Sequence, residues 1–245
     1  MNHALSRRRF LAVAGSAAAG IAIGASPANA SLVFRGSHRI GIIGSGAMGG
    51  GLGVAWARAG HEILFSSRNP DELADLVASA GSRARAGYPQ DAASFGDVVL
   101  IAVPYGALPQ VGRDFTHLMQ GKVVIDCGNP REDRDGPMAN DAIERGTGVA
   151  SAGYLPGVRL VRAFNAIAAT MIGQEPDGDR IGIPIAGDDA DAVELVSGLV
   201  VDAGFDPVVV GGLARAREFD RGTPVYVRGM TAAELREALG MPPAP

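Results

Sequence analysis

A glycine-rich turn between an apolar run and a helical pattern is the feature that most narrows the fold of this chain. The apolar run covers residues 39–43, the turn covers residues 44–49 with the sequence GSGAMG, and the helical pattern covers residues 47–59 before Gly60. In a chain with 35 glycines, the spacing G-x-G-x-x-G is weak on its own. Between a strand and a helix, however, it is typical of the unit that binds the pyrophosphate of a dinucleotide.

Three glycines of this turn have different roles in such a unit. Gly44 permits the tight turn, Gly46 lets the backbone approach the pyrophosphate, and Gly49 lets the helix pack against the strand. The helix N-terminus then presents free N–H groups and a partial positive charge to the anion. We therefore predict a dinucleotide site at this turn. The alternative is a glycine-rich turn that binds no ligand.

The residues after the second apolar run predict which dinucleotide binds. That run covers residues 62–65, and Ser66, Ser67 and Arg68 follow it in place of the Asp or Glu that would bond a ribose 2′-hydroxyl. Short hydroxyl donors beside a forked cation suit a 2′-phosphate. We therefore expect NADP(H) as the cofactor. The alternative is that Arg68 is a solvated loop charge.

Apolar runs and helical patterns alternate along the rest of the chain. The runs at residues 97–103 and 122–126 are almost continuously apolar, which is typical of parallel strands that helices cover on both faces. Further candidates are strands at residues 158–164, 181–186 and 207–210, and helices at residues 70–80, 190–203 and 232–240, capped by Asn69, by residues 188–191 and by a Thr231–Glu234 capping box. This alternation predicts a Rossmann-type, doubly wound α/β fold with a mostly parallel sheet and helices on both faces.

Segments that follow the later strands are expected to surround the reactive end of the dinucleotide, because ligands of this fold bind at the carboxyl ends of the strands. These segments contain Val103 and Pro104, then Asn129 in an Asn-Pro pair, and then Phe164 with Asn165. Two alternatives stay open. Asn129 starts a turn, or Phe164 belongs to the hydrophobic core.

Six short strings of the sequence resemble one known family. They are GIIGSG at residues 41–46, AGHE at 59–62, SR at 67–68, AVP at 102–104, DCGNP at 126–130 and AFN at 163–165. Together they resemble the NADPH-dependent reductases of the deazaflavin coenzyme F420 and the broader dinucleotide-binding reductases related to them. The resemblance implies hydride transfer between NADPH and a deazaflavin co-substrate.

The same resemblance implies roles for individual residues. It places the pyrophosphate on Gly44, Ser45, Gly46, Ala47 and Met48, and the 2′-phosphate on Ser67 and Arg68. Some members of the family carry a further basic residue shortly after the arginine. Residues 69–72 of this chain contain none, so Arg68 is expected to carry the phosphate charge alone.

A reductase of this type needs no acid–base residue, because the protein mainly positions two rings for hydride transfer. We therefore assign no catalytic residue and no metal ligand. Hydroxyacid dehydrogenases and pyrroline carboxylate reductase also resemble the first half, but the hydroxyacid enzymes use a catalytic Lys. The single Lys of this chain, Lys122, lies at the start of a strand and away from the ligand edge. A non-catalytic NADP-binding protein is the other alternative.

Charge and cysteine content exclude some classes of partner and of covalent cross-link. The 22 Lys and Arg against 26 Asp and Glu give a formal net charge of −4, which argues against a nucleic-acid partner. The single cysteine, Cys127, excludes an intramolecular disulfide framework. We expect a small-molecule redox acceptor as the partner, and the oligomeric state is left open.

The first 30 residues have the layout of a secretory signal. The string SRRRFL at residues 6–11 precedes an uncharged apolar stretch that ends at residue 24 and an Ala-Asn-Ala site at residues 28–30. The apolar stretch is short for a bilayer span, so we expect no stable membrane anchor. The paired arginines are similar to a twin-arginine signal. We therefore expect export through the twin-arginine translocase to the periplasm or another extracytoplasmic compartment.

These patterns divide the chain into three parts. Residues 1–30 are expected to form the twin-arginine signal peptide, and residues 31–150 the NADP-binding Rossmann domain. Residues 151–245 are expected to form a smaller C-terminal α/β portion that continues the same domain.

Replacing Arg7 and Arg8 together with Lys is expected to leave the protein in the cytoplasm with its signal uncleaved, because the translocase recognises the arginine pair. Cell fractionation and the mass of the recovered chain are the measurements. Processed protein outside the cytoplasmic membrane would rule out the twin-arginine route.

Overall fold

Eight strands form one sheet within residues 36–174 and 178–244, which are the residues that the computed structural model describes. Their order across the sheet is β3-β2-β1-β4-β5-β6-β7-β8. The strands are β1 Arg39–Ile43, β2 Glu62–Ser66, β3 Ala84–Gly87, β4 Val98–Ile101, β5 Val123–Asp126, β6 Arg159–Arg162, β7 Gly182–Gly187 and β8 Asp206–Gly211.

The sheet is parallel from β3 to β6, and β7 pairs antiparallel with β6. β8 then runs parallel to β7. All four residues of β4 and all four of β5 are buried, because helices cover both faces of the sheet. The predicted Rossmann-type, mostly parallel fold is confirmed.

The helices lie on both faces of the sheet and in the segments that join its strands. They are α1 Ala47–Arg58, α2 Ala74–Ala80, α3 Pro89–Phe95, α4 Leu108–Met119, α5 Glu132–Asp135, α6 Pro137–Arg145, α7 Thr147–Tyr154, α8 Ala190–Asp202 and α9 Ala232–Ala238. Alternate residues of each central strand face opposite layers. Leu100 of β4 packs in the layer of α1 and α8, whereas Val99 and Ile101 pack in the layer of α3, α4 and α7.

Most of the predicted caps are present, and one is wrong. Asp189 accepts a hydrogen bond from the Ala192 N–H at 2.8 Å, and Thr231 with Glu234 forms the predicted capping box. Asn69 does not cap the helix after β2. The segment Pro70–Leu73 begins there as a 3₁₀ turn, and the Asn69 amide donates instead to Glu72.

Two side-chain contacts tie helix α8 to the first half of the chain. The buried Trp56 of α1 donates its indole N–H to the carbonyl of Leu199 at 2.8 Å. Before β2, His61 Nε2 lies 3.1 Å from the carboxylate of Asp202. Since strands β6–β8 also continue the sheet of β1–β5, the described residues of both halves share one core.

The twin-arginine signal predicted at residues 1–30 lies outside the described residues. No helix within the part of the chain that the structure describes is long and apolar enough to cross a membrane.

Candidate functional site

The site lies where β1 and β4 are neighbours at the centre of the sheet. The chain proceeds from β1 outward through β2 and β3, and then returns to β4 on the other side of β1. The two segments that leave this point therefore diverge and open a crevice at the carboxyl ends of the strands. The Ala102 N–H donates to the Ile43 carbonyl at 2.9 Å, so the crevice begins directly beyond these two residues.

The glycine turn at the head of α1 has the geometry that a pyrophosphate site requires. Gly44 has φ +98, and a Cβ there would lie 2.6 Å from the Ala102 carbonyl oxygen. A Cβ on Gly49 would overlap the Gly44 carbonyl oxygen. A Cβ on Gly46, in contrast, would meet nothing within 4 Å. Two of the glycines are thus required by packing, and the third keeps open the space that a pyrophosphate would fill.

The N-terminus of α1 faces this space without a competing acid. Its first turn carries no acidic residue, and no side chain caps it at Gly46. The first N–H groups of the helix, which include those of Ala47 and Met48, are therefore available to an anion.

A cavity of about 740 Å³ extends from the glycine turn toward the end of β2. Its walls include Gly44, Ser45, Gly46, Ser67 and Arg68. These residues come from two strand ends, and the parallel pairing of β1 with β2 brings them together. This is the arrangement that the sequence predicts for the nucleotide end of the site.

Serine hydroxyls fix the loop after β2 beside the glycine turn. Ser45 Oγ accepts from the Ser66 N–H at 2.9 Å, and Ser66 Oγ donates to the Ile42 carbonyl at 2.6 Å. Ser67 Oγ accepts from the Asn69 N–H at 3.1 Å, which leaves the Ser67 hydroxyl proton free to donate to a ligand. The hydroxyl therefore suits a phosphate.

Arg68 is the only cation among the described residues that line this cavity. Its side chain is exposed, and it makes no ion pair within the described residues. Glu72 and Asp114 are the acids of the cavity, and both are engaged by neutral amides, Glu72 by Asn69 and Asp114 by Gln110. The guanidinium of Arg68 is thus available for a 2′-phosphate.

A second cavity, of about 360 Å³, continues from the first at the ends of β4 and β5. Val103 and Pro104 line both cavities. The second cavity also contains Met48, Asn129 and Tyr226. A dinucleotide whose phosphates lie on α1 would direct its nicotinamide into this second cavity, as the sequence predicts for Val103, Pro104 and Asn129.

Neither of the two residues predicted after β6 lines the first or the second cavity. Asn129 Nδ2 donates to the Asn165 carbonyl at 2.8 Å, so Asn165 supports a wall of the second cavity from behind. Phe164 does not line either cavity: its ring is fully buried against Trp56 and Phe205. The structure thus places the Phe164 side chain in the hydrophobic core, which is the alternative that the sequence left open, and not beside the space predicted for the cofactor. Its backbone has φ 64.

A fully buried arginine holds the loop between β5 and the second cavity. Arg162 Nη1 donates to Asp126 Oδ2 at 2.9 Å and to the Gly128 carbonyl at 2.7 Å, while Nη2 donates to Asp220 at 3.1 Å. Asp126 Oδ1 accepts from the Gly128 N–H at 2.8 Å. Both polar groups of Gly128 are therefore fixed by this ion network, which we call the Arg162 network.

Two hydroxyls of the opposite layer complete the Arg162 network. Ser151 Oγ on α7 donates to Asp126 Oδ2 at 2.6 Å, and Tyr105 lies 3.0 Å from the same hydroxyl. Burial, followed by the charge of Asp126, raises the pKa of Tyr105 far above its usual value. Burial alone would lower the pKa of Arg162, but attraction to Asp126 and Asp220 outweighs it and the pKa is raised.

The thiol beside this loop is unreactive. Cys127 lines the second cavity, and burial raises its pKa to about 12. A thiol with that pKa stays protonated near neutral pH and is a poor nucleophile. The described residues contain no group of three His, Cys, Asp or Glu side chains with the geometry of a metal site.

Sequence reasoning missed the Arg162 network, although one signal was present. Two apolar strands, β5 and β6, each end in a charge of opposite sign, Asp126 and Arg162. Charges at the ends of buried strands need partners. The pairing of these two residues in the sheet register was not readable from the sequence.

Comparisons with known proteins agree with this geometry. Residues 39–130 match the family model described as NADP oxidoreductase, coenzyme F420-dependent. The chain is similar to the F420-dependent NADP reductase of Methanothermobacter thermautotrophicus, with 29% identity over 209 residues that cover 80% of this chain and 90% of the relative.

It is also similar to the metalloreductase STEAP3 of Rattus norvegicus, with 30% identity over 188 residues. That match covers 74% of this chain, but the chain spans only 36% of the length of that relative. A solved structure of a hypothetical protein from Sinorhizobium meliloti has a TM-score of 0.69 at 26% identity, and the match covers 81% of this chain and 97% of that one.

Replacing Gly46 with Val is expected to weaken NADPH binding about a hundredfold or more, because the side chain would enter the open space at the head of α1. Displacing the pyrophosphate would break charge-assisted hydrogen bonds of about 1.5–3 kcal/mol each, and about 1.4 kcal/mol corresponds to a factor of ten. Calorimetric titration is the measurement. Gly36→Val is the control, since a Cβ there also meets nothing within 4 Å but lies outside both cavities. Unchanged affinity in Gly46→Val would place the nucleotide elsewhere.

Proposed function

Because residues 39–130 match the model of the coenzyme F420-dependent NADP oxidoreductase family, we infer that the chain is an NADP(H)-dependent reductase of that family. We propose that its hydride acceptor is a deazaflavin of the coenzyme F420 type. The observation that carries this proposal is the pair of cavities that share Val103 and Pro104. One suits the phosphates and ribose of the nucleotide, and the other has room for its nicotinamide beside a flat ring.

The residues of the first cavity bind and orient. The N–H groups at the head of α1 hold the pyrophosphate, while Ser67 and Arg68 hold the 2′-phosphate. When bound, NADPH supplies the hydride. The shared wall formed by Val103 and Pro104 fixes where the nucleotide passes from one cavity to the other.

The residues of the second cavity position the two rings. The hydride comes from NADPH, and the proton that the reduced deazaflavin takes up comes from solvent. Met48 and Tyr226 offer apolar surface beside Asn129, whose amide is held by the Asn165 carbonyl. Cys127 is a neutral thiol here. The rate enhancement then comes from holding two rings in contact, which is the contribution that hydride transfer needs from a protein.

The name of the Methanothermobacter relative supports the deazaflavin as acceptor. The likeness to the rat metalloreductase supports a second candidate, in which the two electrons of one NADPH reduce two metal ions as substrate, with release of NADP⁺ and a proton. We also propose that the enzyme acts outside the cytoplasm, on the basis of the twin-arginine pattern at residues 6–11.

The purified full chain is expected to oxidise NADPH when a deazaflavin is added. The absorbance of both compounds should fall, and the two should be consumed in equimolar amounts. Anaerobic stopped-flow spectroscopy measures both signals at once. Reduction of ferric chelates without reduction of the deazaflavin would show that the acceptor is a metal ion. Tight NADP binding with no turnover on any acceptor would show a non-catalytic NADP-binding protein.

Arg68→Ala is expected to weaken NADPH binding about ten- to a hundredfold and to leave NADH binding nearly unchanged. The lost contact is a charge-assisted hydrogen bond of about 1.5–3 kcal/mol, and NADH lacks the phosphate that accepts it. Dissociation constants for both nucleotides are measured in one buffer.

The matched control for Arg68→Ala is Arg83→Ala, which removes an exposed arginine that lines neither cavity. It should change neither constant. An equal loss of NADH and NADPH affinity in Arg68→Ala would show that the arginine only positions its loop.

A further inference from the structure

A third cavity lies next to the second one, separated from it by two short segments. Its volume is about 280 Å³, and Pro130 lines it while the flanking residues Asn129 and Arg131 line the second cavity. On the other side, Thr223 lines the third cavity and Tyr226 the second, and the Tyr226 N–H donates to the Thr223 carbonyl at 3.2 Å. A molecule whose ring lies in the second cavity could therefore place a side chain in the third.

The third cavity carries an excess of positive charge. Arg217 and Arg221 line it, both are exposed, and neither makes an ion pair within the described residues. The one acid in its wall, Asp220, has its carboxylate 3.1 Å from the buried Arg162. Arg162 also pairs with Asp126, so its single positive charge is shared by two carboxylates and Asp220 stays partly uncompensated. The two exposed arginines of the third cavity exceed that remaining negative charge by one.

Hydrogen-bond donors in the cavity are also unused. Thr223 Oγ1 is buried and has no partner within the described residues, although a buried hydroxyl normally finds one. Arg217 Nη2 donates to the Glu144 carbonyl at 3.1 Å, which fixes the guanidinium and leaves its other N–H groups free. An acceptor-rich group of a ligand would satisfy these donors together.

The two arginines that line the second cavity are already in ion pairs, so they are less available to an anionic group of a ligand. Arg131 is paired with Asp133, and Arg134 is paired with Asp135 at 2.7 Å. The hydrogen bonds from Arg131 lower the pKa of Asp133, and the charge of Arg221 contributes to the same shift. The free cationic charge of this region is therefore concentrated in the third cavity.

We propose that the third cavity binds a phosphate or carboxylate group on the side chain of the hydride acceptor. This inference rests on the proposed function, since it assigns the acceptor ring to the second cavity. It defines the acceptor by chemical class, as a flat redox ring that carries an anionic side chain. Arg217, Arg221 and Thr223 are then residues that select for this charge.

Two acceptors that share one ring test the proposal. 5-Deaza-FMN carries a phosphate on its side chain, and 5-deazariboflavin has the same ring with a neutral side chain. For Arg221→Ala, KM for 5-deaza-FMN is expected to rise about tenfold, the usual effect of losing one charge-assisted contact. KM for 5-deazariboflavin and the affinity for NADPH should stay within about twofold of wild type.

Two further variants sharpen the result. Thr223→Val should raise KM for 5-deaza-FMN less than Arg221→Ala does, because a neutral donor contributes less than a charged one. Arg83→Ala removes the same charge at a residue that lines none of the three cavities, so it should leave both KM values unchanged and controls for the overall charge. Equal rises for both acceptors in Arg221→Ala, or no rise for either, would overturn the proposal.

Direct titration separates this proposal from the proposed function. If neither deazaflavin is reduced, the acceptor assignment fails, and the anion site is then decided by calorimetry with inorganic pyrophosphate. The protein is first saturated with NADP⁺, so that the nucleotide phosphates occupy their own site. Binding that is lost in Arg221→Ala would support the anion site, and the absence of binding to the wild-type protein would overturn it.

Discussion

The buried ion network around Arg162 is the interaction on which the shape of the site depends. Burying an ion pair costs desolvation energy that its attraction only partly returns, so such a pair is weak evidence for added stability. Removing one partner, however, leaves an uncompensated buried charge and costs about 3–5 kcal/mol. The network joins β5, β6, α7 and the turn at Asp220. It also engages both backbone groups of Gly128, which lies in the floor of the second cavity.

The proposed hydride transfer needs a site that holds two rings in fixed positions. In the proposed function, the glycine turn would hold the phosphates, Val103 and Pro104 would line the passage between the cavities, and the loop after β5 would border the nicotinamide. Each of these parts follows a different strand, and the central strands β1, β4 and β5 hold them in register. The order of the strands in the sheet therefore determines where the proposed ligand would lie.

The nucleotide end of the site could be predicted because its signals are local. Gly44, Gly46 and Arg68 stand in short strings whose physical roles follow from the backbone, and the structure places them around one cavity. Strand β3 gave no such signal, since the sequence ARAG contains no apolar run.

The rest depended on contacts between distant residues. The pairing of Asp126 with Arg162 needs the sheet register, and the burial of Phe164 needs the positions of Trp56 and Phe205. The two arginines with the clearest roles sit in opposite electrical surroundings. Arg162 is sealed from solvent, so mobile ions do not weaken its attraction to Asp126 and Asp220, whereas Arg68 is open to water. At physiological ionic strength, charges are screened beyond about 8 Å. Added salt is therefore expected to weaken the proposed contact of Arg68 with a 2′-phosphate more than it weakens the Arg162 network. The preference for NADPH over NADH would then depend on salt, while the floor of the second cavity would keep its geometry.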